Sequence, residues 1–172
     1  MAKPQATEVA EKVRTGVCNR RRMENTSVAA GDGKRKRMKQ ITDFQKPARY
    51  VGGEYGIAEM KPNAYRFCLC FPDVYEVGMS NLGTRILYYT VNEGDVANCE
   101  RCYTPWPDYG NELRATGTPL VSLETKTPLK NFDAVGFSLQ YELSYSNVLY
   151  MLDLAQIPLL AKDRSEKDPF II

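Results

Sequence analysis

The chain has 172 residues, and its 23 Lys and Arg against 21 Asp and Glu leave a formal net charge of only +2. Histidine is absent, which excludes a Ser-His-Asp triad, a Cys-His dyad, a His-Glu-x-x-His zinc site and an imidazole lower ligand to a cobalt corrinoid. No apolar run approaches the ~20 residues of a membrane span, and Met1 to Lys12 lacks the apolar core of a secretory signal, so the expectation is a soluble cytoplasmic protein with no membrane partner.

Residues 1–45 read as a basic N-terminal extension, disordered outside a short amphipathic helix over Ala6 to Arg14. Arg20-Arg-Arg22 and Lys34-Arg-Lys-Arg37, with Lys39, give it charge, and Gly31-Asp-Gly33 is loop composition. Such an arm can contact RNA or another anionic partner. It lacks interleaved aromatics and any helical stripe, so a solvated tail is the favoured reading.

Residues 46–172 read as one folded domain. Lys46 to Gly56 is a lead-in loop, restrained by Pro47 and pinned to the domain edge by Tyr50 and Tyr55. Arg66 to Phe71 is a strand with Cys68 and Cys70 on one face and Phe67, Leu69 and Phe71 on the other. Both faces are apolar, as in a central parallel strand covered on both sides. A helix begins near Ser80, buries a stripe of Leu82, Ile86 and Tyr89 with Leu87 beside it, and ends at Gly94. A second strand runs Cys99 to Tyr103. Thr104 to Asp108 is a rigid loop holding Trp106 as a packing anchor, and a helix runs Tyr109 to Thr116, stopped by Gly117.

Further on, Pro119 to Leu123 reads as a short strand and Pro128 to Phe132 as a turn or short helix. Ala134 to Leu139 is another buried strand. It leads into a helix with Tyr145, Val148, Leu149 and Leu152 on its inner side. Asp168 to Ile172 starts a further strand, which points to truncation at the C-terminus. Strands alternating with helices predict an open, mostly parallel, Rossmann-like (flavodoxin-like, cobalamin-binding-like) α/β sheet with helices on both faces.

Sheets of this kind bind ligands outside the carboxyl ends of their strands. Two strand exits here are polar: Asp73, Tyr75, Glu76, Gly78, Ser80 and Asn81 after the first, and Ser138, Gln140, Tyr141 and Glu142 after the one at Ala134. If those strands are neighbours, the ten residues form one crevice wall, and they are the candidate cofactor-binding set. No catalytic residue is assigned. Gly78-Met-Ser-Asn-Leu-Gly83 has an outline suited to holding an anion, but it lacks the Gly-Lys-Ser/Thr of a phosphate loop, and a simple cap by Ser80 is the plainer reading. The odd cysteine count (Cys18, Cys68, Cys70, Cys99, Cys102) argues against a disulfide framework. Residues three apart on a strand point to opposite faces, which argues against a four-thiolate zinc site.

Five blocks then fall in a telling order: Lys46-Pro-Ala-Arg-Tyr-Val-Gly-Gly-Glu54, Phe71-Pro-Asp-Val-Tyr-Glu-Val-Gly-Met-Ser80, Pro105-Trp-Pro-Asp108, Ser122-Leu-Glu-Thr125 and Val135-Gly-Phe-Ser-Leu-Gln-Tyr-Glu-Leu-Ser-Tyr145. Over residues 41–172 the chain resembles the N-terminal region of large bacterial radical S-adenosylmethionine (radical SAM) proteins, in which a cobalamin-binding-like Rossmann domain precedes a catalytic barrel. The resemblance implies a parent enzyme with a [4Fe-4S] cluster and S-adenosylmethionine, and a C-terminal barrel as this segment's partner. The segment itself would serve as a recognition or docking module. The Cys-x3-Cys-x2-Cys loop such a cluster needs is missing from this chain. Two departures matter. Asn81 stands where the family tends to have His, and Tyr75 stands where histidine-ligating cobalamin domains carry their ligand, which disfavours corrinoid binding through a protein ligand.

Overall fold

A computed structural model describes residues 37–62 and 64–172. The expected helix over Ala6 to Arg14 and most of the basic extension lie outside the described residues. Residues just before position 46 already pack on the domain. Phe44 is buried in the main core, Met38 packs against it, and the backbone amide of Gln45 donates to Asp108 Oδ2 at 2.7 Å.

A helical turn, α1 (Ala48–Val51), interrupts the expected lead-in loop. It seats Tyr50 against Tyr109 with ring centroids 4.2 Å apart, whereas Tyr55 stands fully exposed and pins nothing. The strands β1 (Tyr65–Phe71), β2 (Ala97–Tyr103), β3 (Ala134–Phe137) and β4 (Phe170–Ile171) form one sheet in the order β2-β1-β3-β4. Every pairing is parallel. The registers run Tyr65↔Ala97 to Phe71↔Tyr103 and Phe67↔Ala134 to Cys70↔Phe137, so β1, β2 and β3 leave the sheet on the same side.

Period-two alternation sends β1 into two cores. Cys68 and Cys70 join Cys102, Val135 and the helices α4 (Pro107–Thr116) and α5 (Tyr145–Leu154). Leu69 joins Tyr88 and Cys99 on the opposite face, under α3 (Leu82–Glu93). Helices therefore cover both faces of an open parallel sheet, as a Rossmann-like arrangement requires. A fully buried Leu or Phe in such a core contributes about 1.5–3 kcal/mol relative to exposure.

Three elements differ from the sequence reading. The polar exit expected ahead of the helix near Ser80 is itself helical, α2 (Tyr75–Ser80), and is separated from α3 at Asn81, whose side-chain Oδ1 accepts from the Thr84 amide at 2.9 Å. Asn81, not Ser80, is thus the cap, and the Ser80 hydroxyl donates to the Val77 carbonyl. The buried side of α3 carries Thr84, Tyr88 and Asn92, while Leu82, Ile86, Leu87 and Tyr89 face solvent. The inward polar groups are satisfied across the fold: Tyr88 Oη accepts from the Ala58 amide at 3.0 Å, and the Asn92 side chain bridges the Cys99 amide and carbonyl.

Similarly, α5 buries Met151, Leu152 and Leu154 and exposes Tyr145 and Leu149, because its inner stripe lies about one position round from the expected one. Residues 119–123 form a bridge rather than a strand. Leu120 donates to the Leu154 carbonyl, Leu123 to the Arg101 carbonyl, and Val121 pairs only with Pro128.

Candidate functional site

Adjacent parallel strands bring the exits of β1 and β3 together. The Ser138 amide donates to the Cys70 carbonyl at 2.9 Å, continuing the ladder past β3. Asp73 then collects three contacts. Its Oδ1 accepts from the Val74 amide at 2.7 Å, its Oδ2 accepts from Tyr141 Oη at 3.0 Å, and its carbonyl accepts from the Thr104 amide at 2.9 Å, which ties in the exit of β2. Asn147 on α5 donates to the Pro72 carbonyl at 2.9 Å, and Gln140 donates to Ser138 Oγ at 3.1 Å. Asp73, Ser138, Gln140 and Tyr141 therefore share one rim, with Glu142 exposed beside them at the start of a 3-10 turn, Glu142–Ser144. Leu139 and Leu143 on the same segment are exposed, Leu143 by 76%.

The other predicted residues face elsewhere. Glu76 pairs with Arg49 at 3.0 Å and Lys46 at 3.1 Å. Slight burial works to raise its carboxyl, but the hydrogen bonds from Arg49 and Lys46 prevail and hold it down to about 2. Tyr75 donates its hydroxyl to Glu54 and packs edge-on against Tyr103, with ring centroids 5.6 Å apart. Burial, then the Glu54 bond, push the Tyr75 phenol up to about 12. Gly78 lies inside α2, where a Cβ would stand 2.3 Å from Tyr103 Cε1. Its absent side chain lets α2 lie against Tyr103 and Phe71, so Gly78-Met79-Ser80 is helix rather than an anion-holding loop.

A cavity of about 60 Å³ opens at the carboxyl end of β2. Tyr50, Tyr75, Tyr103 and Tyr109 wall it, Leu120 and Leu123 close one side, and Arg49 and Lys126 are its charged groups. Of the predicted residues only Tyr75 lines it. The sequence reading missed Arg49, Tyr109 and Lys126 as site residues. Proximity to Pro47 and the Pro-Trp-Pro loop was the only local signal for the first two.

Beneath α2 and α3 lies an ion pair that composition does not announce. Arg101 Nε donates to Glu124 Oε1 at 2.7 Å with both side chains buried, and the guanidinium lies 4.3 Å from the Tyr88 ring centroid. Arg101 Nη2 is buried with no partner. Burial lifts the Glu124 carboxyl; it also opposes the Arg101 charge, which the Glu124 carboxylate nonetheless holds above its usual value.

The four cysteines among the described residues do not fit an iron-sulfur cluster. Cys68 and Cys70 lie side by side, Sγ to Sγ 3.9 Å, and Cys70 is the register partner of Cys102, but Cys99 belongs to the opposite core. Burial pushes the Cys68 thiol up to about 11 and Cys99 to about 12, so these are neutral core thiols rather than ready thiolate ligands. Among the described residues no group of three or more His, Cys, Asp or Glu is placed to hold a metal, and no helix is long and apolar enough to cross a membrane.

The family model described as radical SAM proteins, N-terminal, matches residues 83–172, from the first turn of α3 through β4 and over just over half of the chain. No curated protein and no solved structure matches. The matched span holds β2, β3 and the Ser138–Glu142 half of the rim, and by this match the chain belongs to the family of radical SAM proteins, N-terminal.

Proposed function

We propose that this chain is the recognition and docking module of a radical SAM protein, and that the rim joining Asp73 to Tyr141 faces the catalytic barrel. The observation that carries the reading is the composition of that rim. Polar tips tied to one another stand beside exposed Leu139 and Leu143, with Val77 and Leu82 exposed on the helices that follow β1. Polar groups fixed among exposed apolar side chains are the ordinary make-up of a protein interface. Fixing also lowers the entropy lost on docking, because the Asp73 carboxylate and the Tyr141 ring are already held.

The [4Fe-4S] cluster and S-adenosylmethionine belong, on this reading, to the partner barrel. Cys68, Cys70, Cys99 and Cys102 are buried, and no reaction step is assigned to them. A corrinoid ligated through the protein finds no support at Tyr75, whose hydroxyl is engaged by Glu54.

The test is hydrogen–deuterium exchange on this chain with and without a purified radical SAM barrel from the same family, supplied as a separate protein. Slowed exchange in 73–82 and 138–145, abolished by Leu143→Asp, is the expected result. No slowing with a folded barrel, or slowing confined to the β4 edge, would contradict the reading.

A further inference from the structure

We infer that the cavity at the carboxyl end of β2 binds a small monocarboxylate with a short apolar tail. The site lies beside the proposed docking rim and does not depend on it.

Shape and charge point the same way. The walls are aromatic and aliphatic, from Tyr50, Tyr103, Tyr109, Leu120 and Leu123. Arg49 and Lys126 line the cavity, and no Asp or Glu does. Lys126 keeps an unused donor. Lys126 Nζ donates to the carbonyls of Tyr50 and Leu123, each at 2.8 Å, which accounts for two of its three N–H groups. No carboxylate lies within ion-pairing distance of Lys126 among the described residues. Arg49 meets Glu76 through Nε and Nη2 and stacks on Trp106 at 4.8 Å.

Lys126 is also held at φ +58, a left-handed conformation unusual for a residue with a side chain. Such backbone persists where the surroundings over-determine it, and it clusters at ligand clamps. Burial lowers the Lys126 ammonium, a cost that an incoming anion would offset. Gly52 crowds the same ammonium: a Cβ there would lie 3.1 Å from Nζ and 2.5 Å from the Leu123 carbonyl. The lysine head is therefore positioned, not free to sweep.

Size selects the ligand. One water needs roughly 10–15 Å³ of such volume, so about 60 Å³ takes on the order of four to six heavy atoms. That admits a short branched or linear carboxylic acid and excludes a nucleotide. Phosphate, a compact dianion with no apolar part, would leave the tyrosine walls unused.

The experiment is ligand-observed and chain-observed NMR on the whole chain, with isobutyrate as probe, isobutyramide as its neutral isostere and inorganic phosphate as the competing anion. Saturable isobutyrate binding is expected, with shifts at the cavity tyrosines and affinity at least about 10-fold above that of isobutyramide. Lys126→Gly removes the cation and relieves the φ strain, so the fold is kept and affinity should fall about 10-fold. Lys126→Met should behave alike, and Tyr141→Phe, at the docking rim, should leave isobutyrate affinity unchanged. The proposal is overturned if isobutyrate shows no saturable binding, if isobutyramide or phosphate binds as well, or if Lys126→Gly retains full affinity.

Discussion

Tyr141, three residues beyond the Ser138 amide that extends β3, donates its phenolic proton to the Asp73 carboxylate that follows β1, at 3.0 Å. The bond crosses the carboxyl ends of two neighbouring parallel strands and joins residues 68 positions apart in the chain. It lies in solvent reach, so its worth to folding is at the low end of ~0.5–1.5 kcal/mol. Tyr141→Phe should therefore lower unfolding free energy by less than about 1 kcal/mol in urea titration. The same variant should speed amide exchange in 139–143, because the loop loses its tether to β1.

Gly78 sets how closely α2 can lie on the sheet. Gly78→Ala would drive a methyl to within 2.3 Å of Tyr103 Cε1, and the ring is boxed in by Tyr75 and Phe71. Overpacking of this kind costs about 1–3 kcal/mol. Chemical denaturation should show that loss, and Tyr103→Leu in the same chain should recover part of it.

The Arg101–Glu124 pair should respond asymmetrically. Glu124→Gln leaves a buried guanidinium without its counter-charge, a loss of about 3–5 kcal/mol. Replacing both, as Arg101→Met with Glu124→Leu, removes both charges and should be much less harmful than the single change. A double-mutant cycle by urea unfolding reads the difference.

Acid should loosen α1 before the core. Glu76 has a folded-state carboxyl near 2 against an ordinary 4.5, so the folded state favours the ionised form. The stabilisation is fully present above about 4.5 and is lost as pH falls toward 2. Because the Glu76 side chain is 41% exposed, the pair is worth about 1 kcal/mol or less. Glu76→Gln should lower the neutral plateau by up to about 1 kcal/mol, leave the stability near pH 2 unchanged and so flatten the profile between pH 5 and 2, as read by thermal melts across that range.

The outer stripe of α3 gives a further test. Leu82, Ile86 and Tyr89 face solvent, so changing Leu82 and Ile86 to Lys should alter stability by no more than about 0.5 kcal/mol each. Tyr88→Ala, on the inner side, should cost about 3–5 kcal/mol. Opposite results would mean that the helix is turned the other way.

That stripe also shows what sequence could and could not reveal. Strands β1, β2 and β3 were legible because continuous apolar runs bounded by polar exits have few other uses, and the neighbouring rim followed from parallel order. The inner side of α3 was not. Thr84, Tyr88 and Asn92 look polar in isolation; Tyr88 and Asn92 are satisfied in the interior by the Ala58 amide, 30 residues away, and by the Cys99 backbone on the next strand. Periodicity therefore chose Leu82, Ile86 and Tyr89, the more apolar set. Residues 119–123 looked like a strand by composition, yet their amides alternate between Leu154, Thr127 and Arg101. The cavity was hidden for the same reason: Arg49, Tyr103, Tyr109 and Lys126 converge only through the fold.

The central claim is that the rim joining Asp73 and Tyr141 meets a radical SAM barrel. Site-specific photo-crosslinking tests it most directly, with a benzophenone side chain placed at position 143 on the rim, or at position 86 on the outer side of α3. Crosslinks to the barrel from position 143 and none from position 86 are predicted. Crosslinks from position 86 alone would contradict the account.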